Sequence, residues 1–145
     1  MADFYVQVGD QVNFSKTIGE SDIYLFAGIT GDFAASHVNE EYMKKSAYGR
    51  RIAQGGLIIG FMSTASNIMI DKSNRPNMDY TPVSLGFDRI RFIGAVYIND
   101  TVNVTYCVKE INLEGRRSRS EVTVTNQSGK TVTTGEHILQ WVSNA

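Results

Sequence analysis

The sequence predicts an α+β protein in which an antiparallel sheet wraps around one long central helix. Two observations predict this class. Residues 53–70 form an uncharged, largely apolar run with the length of a helix. From residue 83 onward, apolar and polar residues alternate between turn signals, as they do in strands with one buried face.

The predicted central helix carries no formal charge, although 20% of the chain is charged. Its apolar residues fall on nearly every side of a helical wheel, which indicates a helix covered by other structure. The apolar run is too short, and too often interrupted by polar residues, for a membrane span. At its start, Gly55 and Gly56 open the backbone N–H groups of the first turn to a ligand. The positive end of the helix dipole stabilises an anion there.

Length and composition limit the function classes. The 145 residues predict one domain, residues 1–145, and the hydrophobic content of 42% with a net charge of -1 indicates a globular protein. This charge balance does not favour nucleic acid or an anionic membrane as partner. Cys107 is the only cysteine, and His37 and His137 are the only histidines, so we expect neither a disulfide nor a metal site, and no cofactor. The amino end lacks the features of a secretory signal, so we expect a cytoplasmic protein.

Short elements are predicted before the central helix. A strand is expected over residues 12–18. Ser21 is the expected N-cap of a short helix over residues 23–27. Asn39 is the expected N-cap of a second short helix, which ends near residues 46–49.

After the central helix, residues 71–80 read as a polar surface loop, and a meander of strands follows. A change of alternation near Asp88 indicates a bulge, and Gly135 inside the last strand indicates a second bulge or a close backbone approach. The predicted turns, which also set off a short strand at 96–98, lie at residues 99–100, 114–115 and 126–130. About five strands curled around one helix constitute the hot-dog architecture, and a second copy would cover the rest of the helix. We therefore expect a homodimer or a dimer-based oligomer.

Asp32 and His37 are the first candidates for chemistry, five residues apart in a predicted loop between the two short helices. A histidine can give and take protons near neutral pH, and a nearby carboxylate can share a water with it or orient its ring. Taken alone, this spacing is weak, because an aspartate in a Gly-Asp turn usually bonds local backbone and a lone histidine is usually structural. His137, which shares a strand face with apolar residues, is expected to be structural.

A resemblance adds to this interpretation. The run TGDFAASH ending at His37, the run YGRRIAQGGL at residues 48–57, and Ser63 resemble the MaoC-like, (R)-specific enoyl-CoA hydratase family. Residues 91–97 and 100–102 also match the strand pattern of that family. Its members are hot-dog proteins that reversibly add water to the double bond of a trans-2-enoyl thioester.

The resemblance implies roles for five residues. Asp32 and His37 would activate the water, and the backbone N–H of Gly55 would bind the thioester oxygen. Ser63 would support Asp32, and Gln54, which stands where many members have histidine, would support the site. Ala34 also departs from the family pattern, because asparagine is usual there.

Arg50 and Arg51 follow a tight turn and could meet the phosphates of coenzyme A, although solvated surface arginines are the commoner case. The expected partner is an acyl-CoA or acyl-carrier-protein thioester. Two alternatives with the same fold remain open: a non-catalytic subunit that binds acyl thioesters, and a hot-dog thioesterase that hydrolyses the thioester carbonyl.

Overall fold

The computed structural model describes residues 4–73 and 79–145. Within them the chain forms four helices and five strands. In chain order these are β1 Gln11–Thr17, α1 Glu20–Thr30, α2 Ala35–Val38, α3 Glu40–Lys44, α4 Gly55–Lys72, β2 Tyr80–Phe92, β3 Thr101–Asn112, β4 Arg117–Thr125 and β5 Thr131–Ser143.

The five strands form one antiparallel sheet in the order β1-β3-β4-β5-β2. Over most of β3, β4 and β5 every second side chain lies in the core, as a sheet with one covered face requires. The alternation breaks at the end of β3 and near the start of β5. Helix α4 packs against β1 and β3 on that face. The predicted hot-dog arrangement is therefore confirmed, although β2 does not continue the meander into β3 but pairs with β5 at the sheet edge.

Helix α4 is only partly covered within one chain. It buries Ile58, Met62 and Met69 against the sheet. The opposite stripe is exposed and consists mostly of small residues, which are Gly56, Gly60, Ser63 and Asn67. Helix α4 therefore has one face exposed to solvent in the single chain, although its sequence carries no charge over residues 55–70.

The caps of the short helices differ from the prediction at one end. Helix α1 begins one residue before Ser21, and its N-cap is Gly19. Ser21 is therefore not the N-cap. The Asp22 carboxylate accepts a hydrogen bond from the Gly19 N–H at 2.8 Å, which is the contact that the third helical residue makes in a capping box. Asn39 is the N-cap of α3 as predicted, since its side chain accepts from the Tyr42 N–H.

One helix boundary and one short strand were predicted wrongly. Helix α4 starts and ends two residues later than residues 53–70, so it takes in the start of the predicted loop 71–80, of which residues 74–78 lie outside the described residues. Residues 96–98 form no strand. Only an isolated bridge joins Tyr97 to Ile52, and the Asp100 carboxylate accepts from the Tyr97 N–H at 2.9 Å in a turn.

Strand β2 is interrupted by two bulges, one at Ser84/Gly86 and one between Asp88 and Arg91. The second confirms the bulge expected near Asp88. Gly135, opposite this bulge, shows a close approach and not a bulge of its own. A Cβ at Gly135 would lie only 2.4 Å from Cδ1 of Ile90.

A chain of hydrogen bonds crosses the buried face of the sheet at His137, which is fully buried. Its Nδ1 lies 2.6 Å from the Tyr106 hydroxyl, and its Nε2 lies 2.7 Å from the Ser84 hydroxyl. Burial lowers the pKa of His137 to about 4 and raises the pKa of Tyr106 to about 12. Both side chains are therefore neutral near pH 7, in agreement with a structural role for His137.

The lowered pKa of His137 predicts acid sensitivity. Because the unfolded chain binds this proton near pH 6.5 and the folded chain only near pH 4, stability is lost as pH falls between these values. We expect this residue to account for a loss of about 3 kcal/mol in the free energy of unfolding across that range. Urea denaturation of wild type and His137→Gln at several pH values measures the difference, and identical pH dependence of the two proteins would contradict the prediction.

Candidate active site

A pocket of about 320 Å³ opens at one end of the sheet, beside the amino-terminal end of α4. Its wall is formed by the His37 side chain of α2, by the first turn of α4 and by the chain after β2. The lining residues include His37, Gly55, Ile58, Phe92, Val96 and Thr133. The structure thus places the predicted histidine and the predicted anion-binding glycine at the same pocket.

His37 lies on the short helix α2, and not in the loop that the sequence predicts. Its Nδ1 is 2.8 Å from the carbonyl oxygen of Ile52. A carbonyl can only accept, so Nδ1 must carry the proton, and the neutral ring presents the lone pair of Nε2. This hydrogen bond fixes both the orientation and the tautomer of the ring.

Asp32 lies 3.8 Å from His37, measured from Oδ2 to Nε2. This distance is too long for a direct hydrogen bond and leaves a position that a bridging water can occupy. The other carboxylate oxygen of Asp32 accepts weakly from the Ala34 N–H at 3.4 Å, and the Asp32 N–H donates to the Thr30 hydroxyl. Asp32 therefore makes the local turn contacts and also faces the histidine.

The segment between α3 and α4 connects these groups. The Ile52 N–H donates to the Ser36 carbonyl at 3.0 Å, and the Ala53 N–H donates to the Val96 carbonyl at 2.7 Å. Gly55 then begins α4, where the first N–H groups have no partner within a helix and the helix dipole is positive. A negatively charged oxygen in the pocket can be stabilised at this helix end.

Two phenylalanine rings explain why both residues at the start of α4 are glycine. A Cβ on Gly55 would lie 2.6 Å from the ring of Phe92, and a Cβ on Gly56 would lie 2.6 Å from the ring of Phe26. The sequence predicted ligand access at both positions. The structure shows that Gly55 lines the pocket, whereas Gly56 accommodates a ring from α1.

Two of the predicted supporting residues lie elsewhere. Gln54 is 1% exposed and is not part of the pocket wall; its Nε2 donates to the Ile23 carbonyl in α1 at 3.0 Å. Ser63 lies on the exposed stripe of α4, and in the described part of the chain no hydrogen bond joins its hydroxyl to Asp32. One chain alone therefore does not bring either residue to the Asp32 and His37 pair.

The two arginines have different environments. Arg51 is 9% exposed, and its Nε donates to Glu40 at 2.7 Å, its Nη1 to the Tyr24 hydroxyl, and its Nη2 to Glu20. These partners raise the pKa of Arg51 above its already high usual value. Three of the five Arg51 donors are therefore bonded within the fold, and its contact with a phosphate stays a prediction.

Arg50, in contrast, is exposed and stacks on the Tyr97 ring with its guanidinium carbon 4.1 Å from the ring centre. Among the described residues it has no acidic partner within ion-pair distance. It remains available for an anion near the pocket.

Sequence reasoning missed Phe92 and Thr133 as pocket residues. The two lie opposite each other in the register of β2 and β5 and close the side of the pocket next to the sheet edge. Only the pairing of these distant strands identifies them, because neither stands in a local motif.

Within residues 4–73 and 79–145, no three or more histidine, cysteine or acidic side chains gather where they could hold a metal. Over the same residues, no helix has both the length and the apolar character needed to cross a membrane.

Comparison with known proteins identifies a family and several relatives. The family model described as MaoC like domain matches residues 3–132. An (R)-specific enoyl-CoA hydratase of Rhodospirillum rubrum is 36% identical over 131 residues, which cover 90% of this chain and 85% of that protein. A 3-hydroxybutyryl-CoA dehydratase of Methylorubrum extorquens is 32% identical over 79% of this chain and 68% of its own length.

Among solved structures, the unliganded R-hydratase PhaJ1 of Pseudomonas aeruginosa superimposes with a TM-score of 0.79 and 28% identity, covering 96% of this chain and 84% of that chain. The names of these relatives agree with the expectation of a hydro-lyase. The match over most of the chain and the shared fold show that the protein belongs to the MaoC-like domain family.

Proposed function

We propose that this protein catalyses the reversible hydration of a trans-2-enoyl-CoA to the (R)-3-hydroxyacyl-CoA. The observation that carries the proposal is the 3.8 Å distance between Asp32 Oδ2 and His37 Nε2, which lets one water contact both groups, beside the pocket that Gly55 lines. The identity to an (R)-specific enoyl-CoA hydratase supports this reaction over others of the same fold.

In the proposed reaction, a water between Asp32 and His37 attacks C3 of the enoyl group. The lone pair of His37 Nε2 accepts a proton from this water, and Asp32 holds the water by accepting its second hydrogen. As the new C–O bond forms, the electron pair of the double bond moves toward the thioester. The resulting enolate takes up the proton at C2, so water is added without any other reactant.

The negative charge that develops on the thioester oxygen needs a donor fixed in advance. The Gly55 N–H at the start of α4 is such a donor, and it stabilises the transition state more than the ground state. Loss of a donor of this kind typically costs about 10²–10³ in rate.

Arg50 is proposed to contact a phosphate of coenzyme A. It is exposed on the Tyr97 ring, and Tyr97 is next to Val96 of the pocket wall. Ser63 keeps its proposed supporting role only if a partner chain brings it to the site. The proposal also retains the single domain over residues 1–145 and the cytoplasmic location that the sequence predicts.

We further propose a homodimer. Helix α1 and the residues after it expose three large apolar side chains, Leu25, Ile29 and Phe33, which are 60–83% exposed in one chain. Phe26 of the same helix packs at Gly56, so this surface continues onto the open stripe of α4. A surface of this kind indicates a contact with another protein surface, and a second copy is the partner that the fold predicts.

The first prediction of the proposed function concerns catalysis. The purified protein should remove the ultraviolet absorbance of crotonyl-CoA without releasing a free thiol. Asp32→Asn and His37→Ala should each lower kcat/KM by about 10²–10⁴, because each removes a group that handles the proton of the water. Asp71→Asn, on the exposed last turn of α4, is the matched control and should keep the wild-type rate.

Other outcomes of the same assay identify the rival functions. Release of thiol with the enoyl group intact would indicate a thioesterase. Binding of acyl-CoA with no turnover would indicate a non-catalytic subunit, and an unchanged rate in His37→Ala would overturn the proposed mechanism.

The second prediction separates the two arginines. Arg51→Gln should lower the free energy of unfolding by about 1–3 kcal/mol, because two carboxylates lose a nearly buried partner. Arg50→Gln should change it by about 1 kcal/mol or less. The same Arg50→Gln protein should have a raised KM for crotonyl-CoA and an unchanged KM for crotonyl-pantetheine, which lacks the phosphates. An equal effect on both substrates would refute the phosphate contact.

The third prediction concerns assembly. Light scattering at micromolar concentration should give twice the mass of one chain. Ile29→Glu should shift the protein toward monomers, since it introduces a charge into the proposed interface. Leu113→Glu, at an exposed apolar residue in the β3–β4 turn, should leave the dimer intact. A monomeric wild-type protein would show that this surface has another role.

A further inference from the structure

The pocket ends at a definite layer of the sheet. Phe92 of β2 and Thr133 of β5 lie opposite each other, and both line the pocket. One step further along the same face of these strands are Ile90 and Gly135, and neither contributes to the pocket wall. The boundary of the pocket therefore falls between these two layers.

Ile90 fills the space that the absent side chain of Gly135 leaves. A Cβ on Gly135 would lie 2.4 Å from Cδ1 and 3.5 Å from Cγ1 of Ile90. The bulge between Asp88 and Arg91 places Ile90 here, and Arg89 within it has a φ of 53°. The Ile90 side chain packs directly on Gly135 and fills the space behind the pocket.

The helix closes the opposite side. Ile58 of α4 lines the pocket and is 2% exposed, and Met62, one turn further along, is fully buried. Behind Ile90, the next layer of the sheet holds Phe87 opposite the buried His137. Ile90 thus lies between the layer of the pocket wall and the layer of His137.

The proposed reaction fixes how an acyl group must lie. The thioester oxygen meets Gly55, and C3 meets the water at His37, so any carbons beyond C3 must point away from these groups along the pocket. Ile90, packed in the layer behind Phe92 and Thr133, then limits how many carbons fit.

We infer that Ile90, resting on Gly135, fills the layer behind the acyl pocket, prevents an acyl chain from extending past Phe92 and Thr133, and so restricts the enzyme to short acyl groups, with the four-carbon enoyl thioester preferred. The inference rests on the proposed function, because it uses the placement of the thioester at Gly55. It assigns the chain-length limit to one side chain and one glycine.

The test compares crotonyl-CoA, trans-2-hexenoyl-CoA and trans-2-octenoyl-CoA as substrates. For the wild-type protein, kcat/KM should fall at least about tenfold from crotonyl-CoA to octenoyl-CoA, since a methylene that a closed pocket cannot accept is discriminated by about 10–200-fold. Ile90→Ala should raise the octenoyl to crotonyl ratio about tenfold or more, because it opens the slot over Gly135.

Gly135→Ala tests the same contact in the opposite direction. Its methyl group would displace Cδ1 of Ile90 toward the pocket, so turnover of hexenoyl-CoA should fall further relative to crotonyl-CoA. In the double variant Ile90→Ala/Gly135→Ala, the new methyl group refills part of the slot, and the ratio should return toward that of the wild type. Ile138→Ala, at a half-buried isoleucine of β5 on the opposite face of the sheet from Gly135, is the control and should leave the ratio unchanged.

Binding of butyryl-CoA and octanoyl-CoA, measured by calorimetry, reports pocket length without turnover. A preference for butyryl-CoA that Ile90→Ala removes supports the inference even if no hydration occurs, and the absence of hydration would then overturn only the proposed function. Equal use or binding of short and long acyl groups by the wild type would overturn the inference. So would an unchanged ratio in an Ile90→Ala protein with wild-type circular dichroism.

Discussion

The hydrogen bond from His37 to the carbonyl of Ile52 is the contact on which the site depends. It determines which ring nitrogen is free to act as a base, and it sets the direction in which that nitrogen points. The acceptor is a main-chain atom, so its position is only as fixed as the backbone around it. That backbone is tied on both sides, by Ser36 in α2 and by Val96 after β2. Three residues later the same segment becomes the first turn of α4. The base and the anion donor are therefore placed by one short stretch of extended chain.

This stretch needs an anchor, because loops without one are among the most mobile parts of a protein. Arg51 supplies the anchor by joining Glu20 at the start of α1 to Glu40 at the start of α3. A guanidinium in a nearly buried place is tolerated because carboxylates and a hydroxyl satisfy its donors. Three elements that come from separate parts of the sequence are thus held around Ile52.

The fold could be predicted from the sequence because its main signals are local. The uncharged run that becomes α4 and the alternation of β3 to β5 depend on residues a few positions apart, and these elements form where the sequence places them. The apolar triplet at residues 96–98 has the composition of a strand, yet it lies beyond the end of β2 and gains only an isolated bridge, so tertiary structure overrides its local preference.

The site was harder to predict from the sequence, because most of its contacts join residues that are far apart in the chain. Asp32 and His37 are close in sequence, and a resemblance singled them out. The partners of Arg51 and of Gln54 are 11 to 31 residues away. No sequence pattern shows that these side chains form hydrogen bonds within the fold. Phe92, which makes a glycine necessary at the head of α4, likewise comes from a strand that begins after that helix has ended.

The hydrogen bonds of His137 have a consequence for strand alignment. Edge strand β2 carries two bulges, so its apolar pattern alone would tolerate a slip of two residues along β5. Such a slip would carry Ser84 away from the imidazole and leave a buried ring nitrogen without a partner, at a cost of about 1–3 kcal/mol. The native alignment is therefore favoured over its neighbours by a polar contact on the buried face of the sheet. Phe92 belongs to the same strand. The contact between Ser84 and His137 therefore also helps to hold Phe92 opposite Thr133 in the pocket wall.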